Sequence, residues 1–220
     1  MDHQDEYYDN LITMLELIWG EGYMTPGGSD NVEKMFNGIE TAGKRILDIG
    51  CGLGGQAFEM ANTFGADVVG IDLEAPLIKR ATEAATKMGL QDRCKFRIAK
   101  AGALDFPDQS FDIVTTSAAI TQVSDKANIF GECYRVLKPG GYLTCYDWTK
   151  SEEPLSEDMF YWFKMEGLTF ALETLEEYKA HLKKIGYIDV TIKDASDWYR
   201  NQVRREYELI KGRLYPRMVE

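Results

Sequence analysis

The sequence predicts a doubly wound α/β fold with a mostly parallel sheet. Short apolar strands alternate with amphipathic helices from about Lys44 onward, and a glycine-rich loop stands between the first strand and the first helix of that series. Such alternation is typical of a parallel sheet with helices on both faces. The chain of 220 residues has no internal repeat and no linker rich in proline and serine, so we predict one domain spanning residues 1–220.

The first part of this domain, residues 1–43, is predicted to form an N-terminal helical lid segment. Its apolar side chains share one helical face, made by Tyr7, Leu11, Met14, Leu15 and Ile18. The turn-rich sequence GEGYMTPGGSD follows the helix. This sequence is compatible with a segment that closes over a pocket, and equally with a surface turn beside a packing helix.

Residues 44–194 are predicted to form the α/β core. Its strands are short, apolar or β-branched, and bounded by turn residues; they fall at 45–50, 66–73, 94–100, 111–117, 141–148 and 187–194. Helical spacing covers 54–64, 75–88, 126–137 and 175–185, and the sequence KPGG ends the third of these helices. Residues 195–220 are predicted to form a C-terminal helix.

Composition and charge exclude several classes of function. The chain has 36 acidic and 25 basic residues, a net charge of −11, and no basic stripe that would neutralise phosphates, so nucleic acid is not expected as a partner. No apolar run reaches the ~20 residues that cross a bilayer, and the acidic start does not resemble a secretory signal. We therefore expect no membrane association and a cytoplasmic location. The four cysteines form no CxxC pair, and no metal site is predicted.

The glycine-rich loop carries the most specific signal. Asp48 lies two residues before Gly50, and Gly52 and Gly54 complete the pattern D-x-G-x-G-x-G, which also satisfies G-x-G-x-x-G. The glycines alone would admit a nicotinamide dinucleotide at a helix N-terminus. A carboxylate at Asp48 would repel the pyrophosphate but suits the ammonium group of a methionine moiety. The loop therefore favours a methionine-derived cofactor.

The second predicted strand ends in another acid, Asp72, which is followed by Leu73. A carboxylate at this place can accept hydrogen bonds from both hydroxyls of a ribose, and the leucine can pack on adenine. Both kinds of nucleotide cofactor use such an acid. Asp72 therefore indicates nucleoside binding without deciding between them.

Together with FPDQSFD and LKPGG before the fourth and fifth strands, these motifs resemble the class I S-adenosylmethionine-dependent methyltransferases over nearly the whole chain. The segment ELIWGEGYMTPGG, with Tyr7 and Asp9 before it, is similar to phosphoethanolamine methyltransferases and related small-amine N-methyltransferases. The resemblance implies a Rossmann-like fold, S-adenosyl-L-methionine as cofactor, and N-methylation of a small amine or amino-acid-like substrate. Alternatives are C-, O- or S-methylation of a small metabolite, and a degenerate fold that binds ligand without catalysis.

The resemblance also implies roles for individual residues. Cofactor contacts are expected at Met24, Thr25, Asp48, Gly50, Cys51, Gly52, Gly54, Asp72, Leu73, Ala101, Gly102 and Ser117. Tyr7 matches a lid tyrosine used in catalysis, and Gln122, in place of a catalytic histidine, is predicted to hold a water or a polar group. Asp147 and Trp148 lie at the carboxyl end of the predicted fifth strand and are predicted to contact the substrate by charge and by a cation–π interaction. A turn-forming role is equally compatible with Asp147.

Three departures from those enzymes bear on recognition. Lys100 replaces an acid that accepts from the adenine amino group, so backbone at Ala101 and Gly102 is expected to make that contact. Ala118 replaces an aspartate, and Gln122 does not titrate near neutrality, so a substrate that arrives ready to react is favoured. Residues 151–170 lack clear counterparts of the phosphate-binding tyrosines and arginine, which disfavours phosphoethanolamine itself.

Overall fold

The computed structural model describes residues 9–100, 102–167 and 169–214. Its sheet contains five parallel strands in the order β3-β2-β1-β4-β5. The strands are β1 (Arg45–Ile49), β2 (Asp67–Asp72), β3 (Cys94–Ile98), β4 (Phe111–Ser117) and β5 (Leu137–Tyr146). The doubly wound parallel sheet predicted from the sequence is confirmed.

Helices precede, connect and follow these strands. They are α1 (Asp9–Trp19), α2 (Gly28–Phe36), α3 (Gly55–Asn62), α4 (Ala75–Lys87), α5 (Lys126–Val136), α6 (Glu157–Glu166), α7 (Leu175–Ile185) and α8 (Ser196–Leu209). A 3₁₀ turn (Ile120–Gln122) follows β4, and a π-helical turn (Ile210–Leu214) continues α8. Within the part of the chain that the structure describes, no helix is long and apolar enough to cross a membrane.

The sheet is buried between two helical layers. On one face, Ile46 and Ile113 pack with buried residues of α2, α3 and α4. On the other face, Leu47 and Val114 pack with Cys133 of α5. Neighbouring residues of β1 and of β4 therefore enter opposite cores, as expected for central strands that are covered on both sides.

The strand order creates a reversal beside β1. The chain runs outward from β1 through β2 to β3, and then returns to the other side of β1 to form β4. In open α/β sheets, ligands bind beyond the carboxyl ends of the strands at such a reversal. The loops that follow β1 and β4 therefore meet at the expected ligand position.

The sixth strand predicted at 187–194 is wrong. These residues belong to no strand; Ile188 is 85% exposed, and Asp189 has a left-handed φ of 53°. A strand needs a neighbour for its N–H and C=O groups, and β5 pairs only with β4 among the described residues. The segment is held instead by Tyr187, whose hydroxyl donates to the carbonyl oxygen of Phe130 at 3.1 Å.

Two helices, α2 and α6, are not predicted by the sequence patterns. The aromatic residues of α6 are consecutive, FYWF at 160–163, so they do not mark a single helical face. Its boundaries are nevertheless regular. The Ser156 side chain accepts from the amide of Met159 at the start, and Gly167 ends the helix in a left-handed conformation.

Two further details differ from the sequence prediction. β5 begins at Leu137 rather than at 141, because the KPGG sequence lies within an irregular pairing of β5 with β4. In α1, Ile12 is 1% exposed and packs with Leu53 and Leu77. The predicted apolar face of α1 omitted this residue.

Candidate active site

A cleft lies beyond the carboxyl ends of β1 and β4, at the reversal of the strand order. Its walls come from the loop after β1, the end of β4, and the segment between α1 and α2. Many of the predicted cofactor residues line it, namely Met24, Thr25, Asp48, Gly50, Cys51, Gly52 and Ser117. The fold therefore brings together residues that lie far apart in the chain, since six helices and strands separate Met24 from β4, where Ser117 lies.

The turn after β1 requires glycine at position 50. The φ of Gly50 is 71°, and a β-carbon there would lie 2.3 Å from the β-carbon of Ala119. The amides of Gly50 and Cys51 donate to the carbonyl oxygen of Ile71 at 2.8 and 3.0 Å. These bonds hold the turn against the end of β2, and its backbone can approach a ligand closely.

Asp48 is a buried ionisable group of the cleft. It is 2% exposed, and its Oδ1 accepts from Nε2 of Gln56 at 3.0 Å. Its Oδ2 is buried and has no hydrogen-bond partner among the described residues. Burial and, next, the charge of Asp72 raise the pKa of Asp48 to about 7, against the opposing effect of the Gln56 hydrogen bond. An unpartnered buried oxygen is costly, so this position fits a cationic group of a ligand.

Asp72, at the end of β2, is hydrogen-bonded to the glycine loop. Its Oδ2 accepts from the Gly52 amide at 2.9 Å, and its Oδ1 accepts from the Glu74 amide at 3.1 Å. Burial raises the pKa of Asp72, and these backbone hydrogen bonds oppose that effect. Each carboxylate oxygen can accept a second hydrogen bond, as a ribose would require. Leu73 is 59% exposed, so its side chain is open to a ligand ring.

The segment between α1 and α2 is fastened to α3. The Gly55 amide donates to the carbonyl oxygen of Gly22 at 2.9 Å, and a β-carbon on Gly55 would lie 2.5 Å from that oxygen. The hydroxyl of Tyr23 donates to the carboxylate of Glu59 on α3. The next two residues of the segment line the cleft. This placement suits a segment that covers a pocket, and its movement as a lid stays a prediction.

Comparison with known proteins decides the family. A family model described as "Methyltransferase domain" matches residues 40–207 of this chain. The chain belongs to the methyltransferase domain family. The match includes β1 to β5 and every helix from α3 to α7. The methyltransferase assignment therefore covers the sheet and the glycine loop together.

Individual methyltransferases are similar over most of the chain. Phosphoethanolamine N-methyltransferase 3 of Arabidopsis thaliana is 31% identical over 207 residues, which cover 94% of this chain and 41% of that protein. The 27-O-demethylrifamycin SV methyltransferase of Amycolatopsis mediterranei is 30% identical, over 93% of this chain and 80% of that protein.

A solved methyltransferase structure has the same fold. Phosphoethanolamine N-methyltransferase 2 of Haemonchus contortus, in complex with S-adenosyl-L-methionine, gives a TM-score of 0.91 at 28% identity. The similarity covers 99% of this chain and 50% of that chain. This chain thus spans half or less of the length of these Arabidopsis and Haemonchus enzymes. The Rossmann-like methyltransferase fold implied by the motifs is confirmed.

The residues of this methyltransferase cleft fit S-adenosyl-L-methionine. That molecule has an ammonium group, a ribose and an adenine. The unpartnered Oδ2 of Asp48 suits the ammonium group, the carboxylate of Asp72 suits the ribose hydroxyls, and exposed Leu73 suits the adenine face. Asp48 is thus the group that distinguishes this cleft from a pyrophosphate site.

Several residues predicted to act in the methyltransferase site are not among the described residues that line the cleft. Tyr7 and Ala101 lie outside the described residues. Gln122 ends the 3₁₀ turn after β4, and its side chain is exposed. Gly54 is the N-cap of α3, and the carbonyl oxygen of Gly102 accepts from the side chain of Asn128 at 2.7 Å. The roles assigned to these residues stay predictions.

Asp147, predicted to contact substrate, follows β5 and already has protein partners. Its Oδ1 accepts from the Thr121 amide at 3.0 Å, and its Oδ2 accepts from the hydroxyl of Tyr178. Burial raises the pKa of Asp147 to about 6. The carboxylate is therefore tied to the turn after β4 and to α7.

Trp148, the second predicted substrate residue, lies among aromatic rings. Its ring centroid is 5.3 Å from that of Trp162 on α6 and 4.6 Å from that of Tyr199 on α8. Elements after β5 thus surround it with aromatic rings. Such a surrounding suits a cationic ligand, and the contact itself stays a prediction.

Two polar residues of the cleft are not predicted from the sequence. Gln56 donates to Asp48 and, at 3.3 Å, to Oγ1 of Thr115. Asn31 is 2% exposed and donates to Oγ of Ser117 at 3.4 Å. The position of Gln56 in the first turn after the glycine loop is a signal that points to it. Asn31 lies in a helix without such a signal.

Proposed function

We propose that this chain transfers a methyl group from S-adenosyl-L-methionine to the nitrogen of a small amine that carries no phosphate. The observation that carries the proposal is the buried, unpartnered Oδ2 of Asp48 beside the glycine loop. An ammonium group on the cofactor satisfies this oxygen. The pyrophosphate of a nicotinamide dinucleotide would be repelled by it.

The reaction requires alignment more than acid–base chemistry. S-adenosyl-L-methionine, when bound, supplies a methyl group on a positively charged sulfur. The amine lone pair attacks that carbon, and the C–N bond forms as the C–S bond breaks and leaves its electrons on sulfur. The chain holds the amine in line with this bond, and such orientation supplies ~7–11 kcal/mol. A primary or secondary amine then loses a proton to water.

The residues after β4 favour nitrogen as the nucleophile. Ala118 and Gln122 have no group that titrates near neutral pH. They cannot remove a proton from a hydroxyl, whereas a neutral amine attacks through its lone pair without a base. Gln122 can instead orient a polar group of the substrate by hydrogen bonding.

Charge near Trp148 favours an unphosphorylated amine. Residues 151–170, which include α6, contain five acidic residues and a single lysine. Because Trp162 of α6 packs on Trp148, this acidic segment lies beside the predicted substrate position. Aromatic faces attract an ammonium group by ~0.5–2 kcal/mol, while carboxylates repel phosphate.

Calorimetric titration tests the cofactor part of the proposal. The purified chain is titrated with S-adenosylhomocysteine, and with NAD as the control ligand. We expect heat of binding from the first ligand only. Binding of NAD alone, or of neither ligand, would overturn the proposal.

Product analysis tests the acceptor. The chain is incubated with S-adenosyl-L-methionine and, separately, with ethanolamine, dimethylethanolamine, glycine and phosphoethanolamine. We expect an unphosphorylated amine to gain a methyl group on nitrogen, faster than phosphoethanolamine does. Preference for phosphoethanolamine would contradict the charge argument, and methylation at oxygen or carbon would replace the proposed reaction.

A further inference from the structure

A largely buried polar cluster lies behind the turn that carries Gln122. It consists of Lys126 at the start of α5, Asp147 after β5 and Tyr178 of α7, and we call it the Lys126–Asp147–Tyr178 cluster. Lys126 is 1% exposed and Tyr178 is 6% exposed. The Tyr178 hydroxyl donates to Oδ2 of Asp147. Lysine is seldom buried unless its charge is balanced, and Asp147 is partly buried beside it, so the cluster needs an explanation.

The cluster holds the turn on both sides of Gln122. The Thr121 amide donates to Oδ1 of Asp147 at 3.0 Å. Nζ of Lys126 donates to the carbonyl oxygen of Val123 at 2.9 Å. Gln122 stands between these two anchored residues, and its side chain is exposed. Its backbone is therefore fixed while its side chain stays available.

A second connection joins the turn to the segment before α7. The Ala171 amide donates to the carbonyl oxygen of Thr121 at 2.8 Å. The carbonyl oxygen of Ala171 in turn accepts from Nζ of Lys126. The ammonium group thus bridges the turn and this segment. A shift of the turn would break bonds in both places.

Lys126 and Asp147 each stabilise the ionised form of the other. Burial raises the pKa of Asp147, while the Tyr178 hydrogen bond and the charge of Lys126 oppose the rise. Burial lowers the pKa of Lys126, while the charges of Asp147 and Glu173 oppose the fall. Removal of the lysine or of the carboxylate would leave the other charge buried with less compensation, which is strongly unfavourable.

We infer that the Lys126–Asp147–Tyr178 cluster positions Gln122 at the methyl-transfer site. The three residues are positioning residues, and Asp147 acts through the Thr121 amide rather than by contact with the substrate. The inference rests on the proposed function, because it takes Gln122 as the polar group that faces the acceptor. The position of Gln122 must be fixed for this role, since a ~1 Å displacement of a positioning group can lower the rate ~10²-fold.

A pair of tyrosine variants tests the inference. Tyr178→Phe removes the hydroxyl that binds Asp147 and keeps the ring against Phe130, whose centroid is 5.5 Å away. Tyr187→Phe is the matched control, because its hydroxyl binds a backbone carbonyl of α5 and does not touch the turn. We expect kcat to fall roughly 10- to 100-fold in Tyr178→Phe only. The Kd for S-adenosylhomocysteine and the KM for the amine should not change.

Hydrogen–deuterium exchange at residues 120–123 separates this inference from the proposed function. Faster exchange in Tyr178→Phe than in Tyr187→Phe supports positioning by the cluster. If the wild-type chain methylates no tested amine, the proposed function fails and the exchange comparison still decides whether the cluster orders the turn. Equal exchange in the two variants overturns the inference, and so does an equal loss of kcat in both.

Discussion

The side-chain amide of Gln56 donates to Oδ1 of Asp48 at 3.0 Å and satisfies only half of a buried carboxylate. The other oxygen lacks a partner within the described residues. Because burial raises the pKa of this carboxyl to about 7, its charge changes near neutral pH. The ionisation of Asp48 should therefore affect both the affinity for the cofactor and the stability of the ligand-free chain.

We expect the affinity for S-adenosylhomocysteine to decrease as the pH falls below about 7. The ionised form of Asp48 attracts the ammonium group of the ligand, and the protonated form does not. Binding below the pKa therefore releases a proton, and Kd rises by up to ~10-fold per pH unit. Calorimetry across this range measures the slope. Asp48→Asn should bind S-adenosylhomocysteine weakly, and its Kd should not change with pH in this range. If the Kd of the variant still depends on pH, the dependence belongs to another group, and Asp72 is the first candidate.

Asp48→Asn should also stabilise the ligand-free chain above neutral pH. The pKa of Asp48 is raised in the folded state to about 7, compared with ~3.9 for an unfolded chain. Stability therefore falls as the pH rises from the unfolded pKa to the folded pKa, and it is constant above that range. Asparagine does not ionise, so the variant should have the higher Tm at about pH 8. This difference should disappear below the unfolded pKa, and a difference independent of pH would contradict the prediction.

The close approach of Gly55 to Gly22 should make Gly55→Ala disruptive. The added methyl group would lie 2.5 Å from the Gly22 carbonyl oxygen, so the segment between α1 and α2 must move. We expect a loss of ~1–3 kcal/mol in stability and weaker binding of S-adenosylhomocysteine. Gly131→Ala is the control, because this α5 glycine has no neighbour near its β-carbon position, and it should gain ~0.5–1 kcal/mol. Equal effects in the two variants, from denaturant unfolding, would contradict the packing argument.

The sequence predicts the sheet and the cofactor loop because both depend on local patterns. Asp48, the glycines and the start of α3 form one continuous stretch, so their order along the chain sets their arrangement in space. The segment at 187–194 has the residue types of a strand and lacks a neighbouring strand in the described structure. Strand propensity is local, whereas strand formation depends on pairing. This difference explains the wrong sixth strand.

The remaining contacts of the site join distant parts of the chain. Asn31 and Ser117 are 86 positions apart, and Thr121 and Asp147 are 26 apart. No spacing rule relates such residues, because their meeting depends on how helices pack on the sheet. The Lys126–Asp147–Tyr178 cluster could not be predicted for the same reason, because its members lie on α5, after β5 and on α7.

Trp148 gives the most direct test of how the amine is held. If its ring attracts an ammonium group, Trp148→Leu should weaken binding of choline, a quaternary ammonium probe, by ~2- to 30-fold. Binding of 3,3-dimethylbutanol, which has the same shape without the charge, should change much less. Trp148→Phe should lie between wild type and leucine, because it keeps a smaller π face against Trp162 and Tyr199. Calorimetry with S-adenosylhomocysteine present measures all three proteins. Equal losses for the charged and neutral probes would show that Trp148 contributes shape alone, and the argument for a cationic substrate would then depend only on the acidic segment at 151–170.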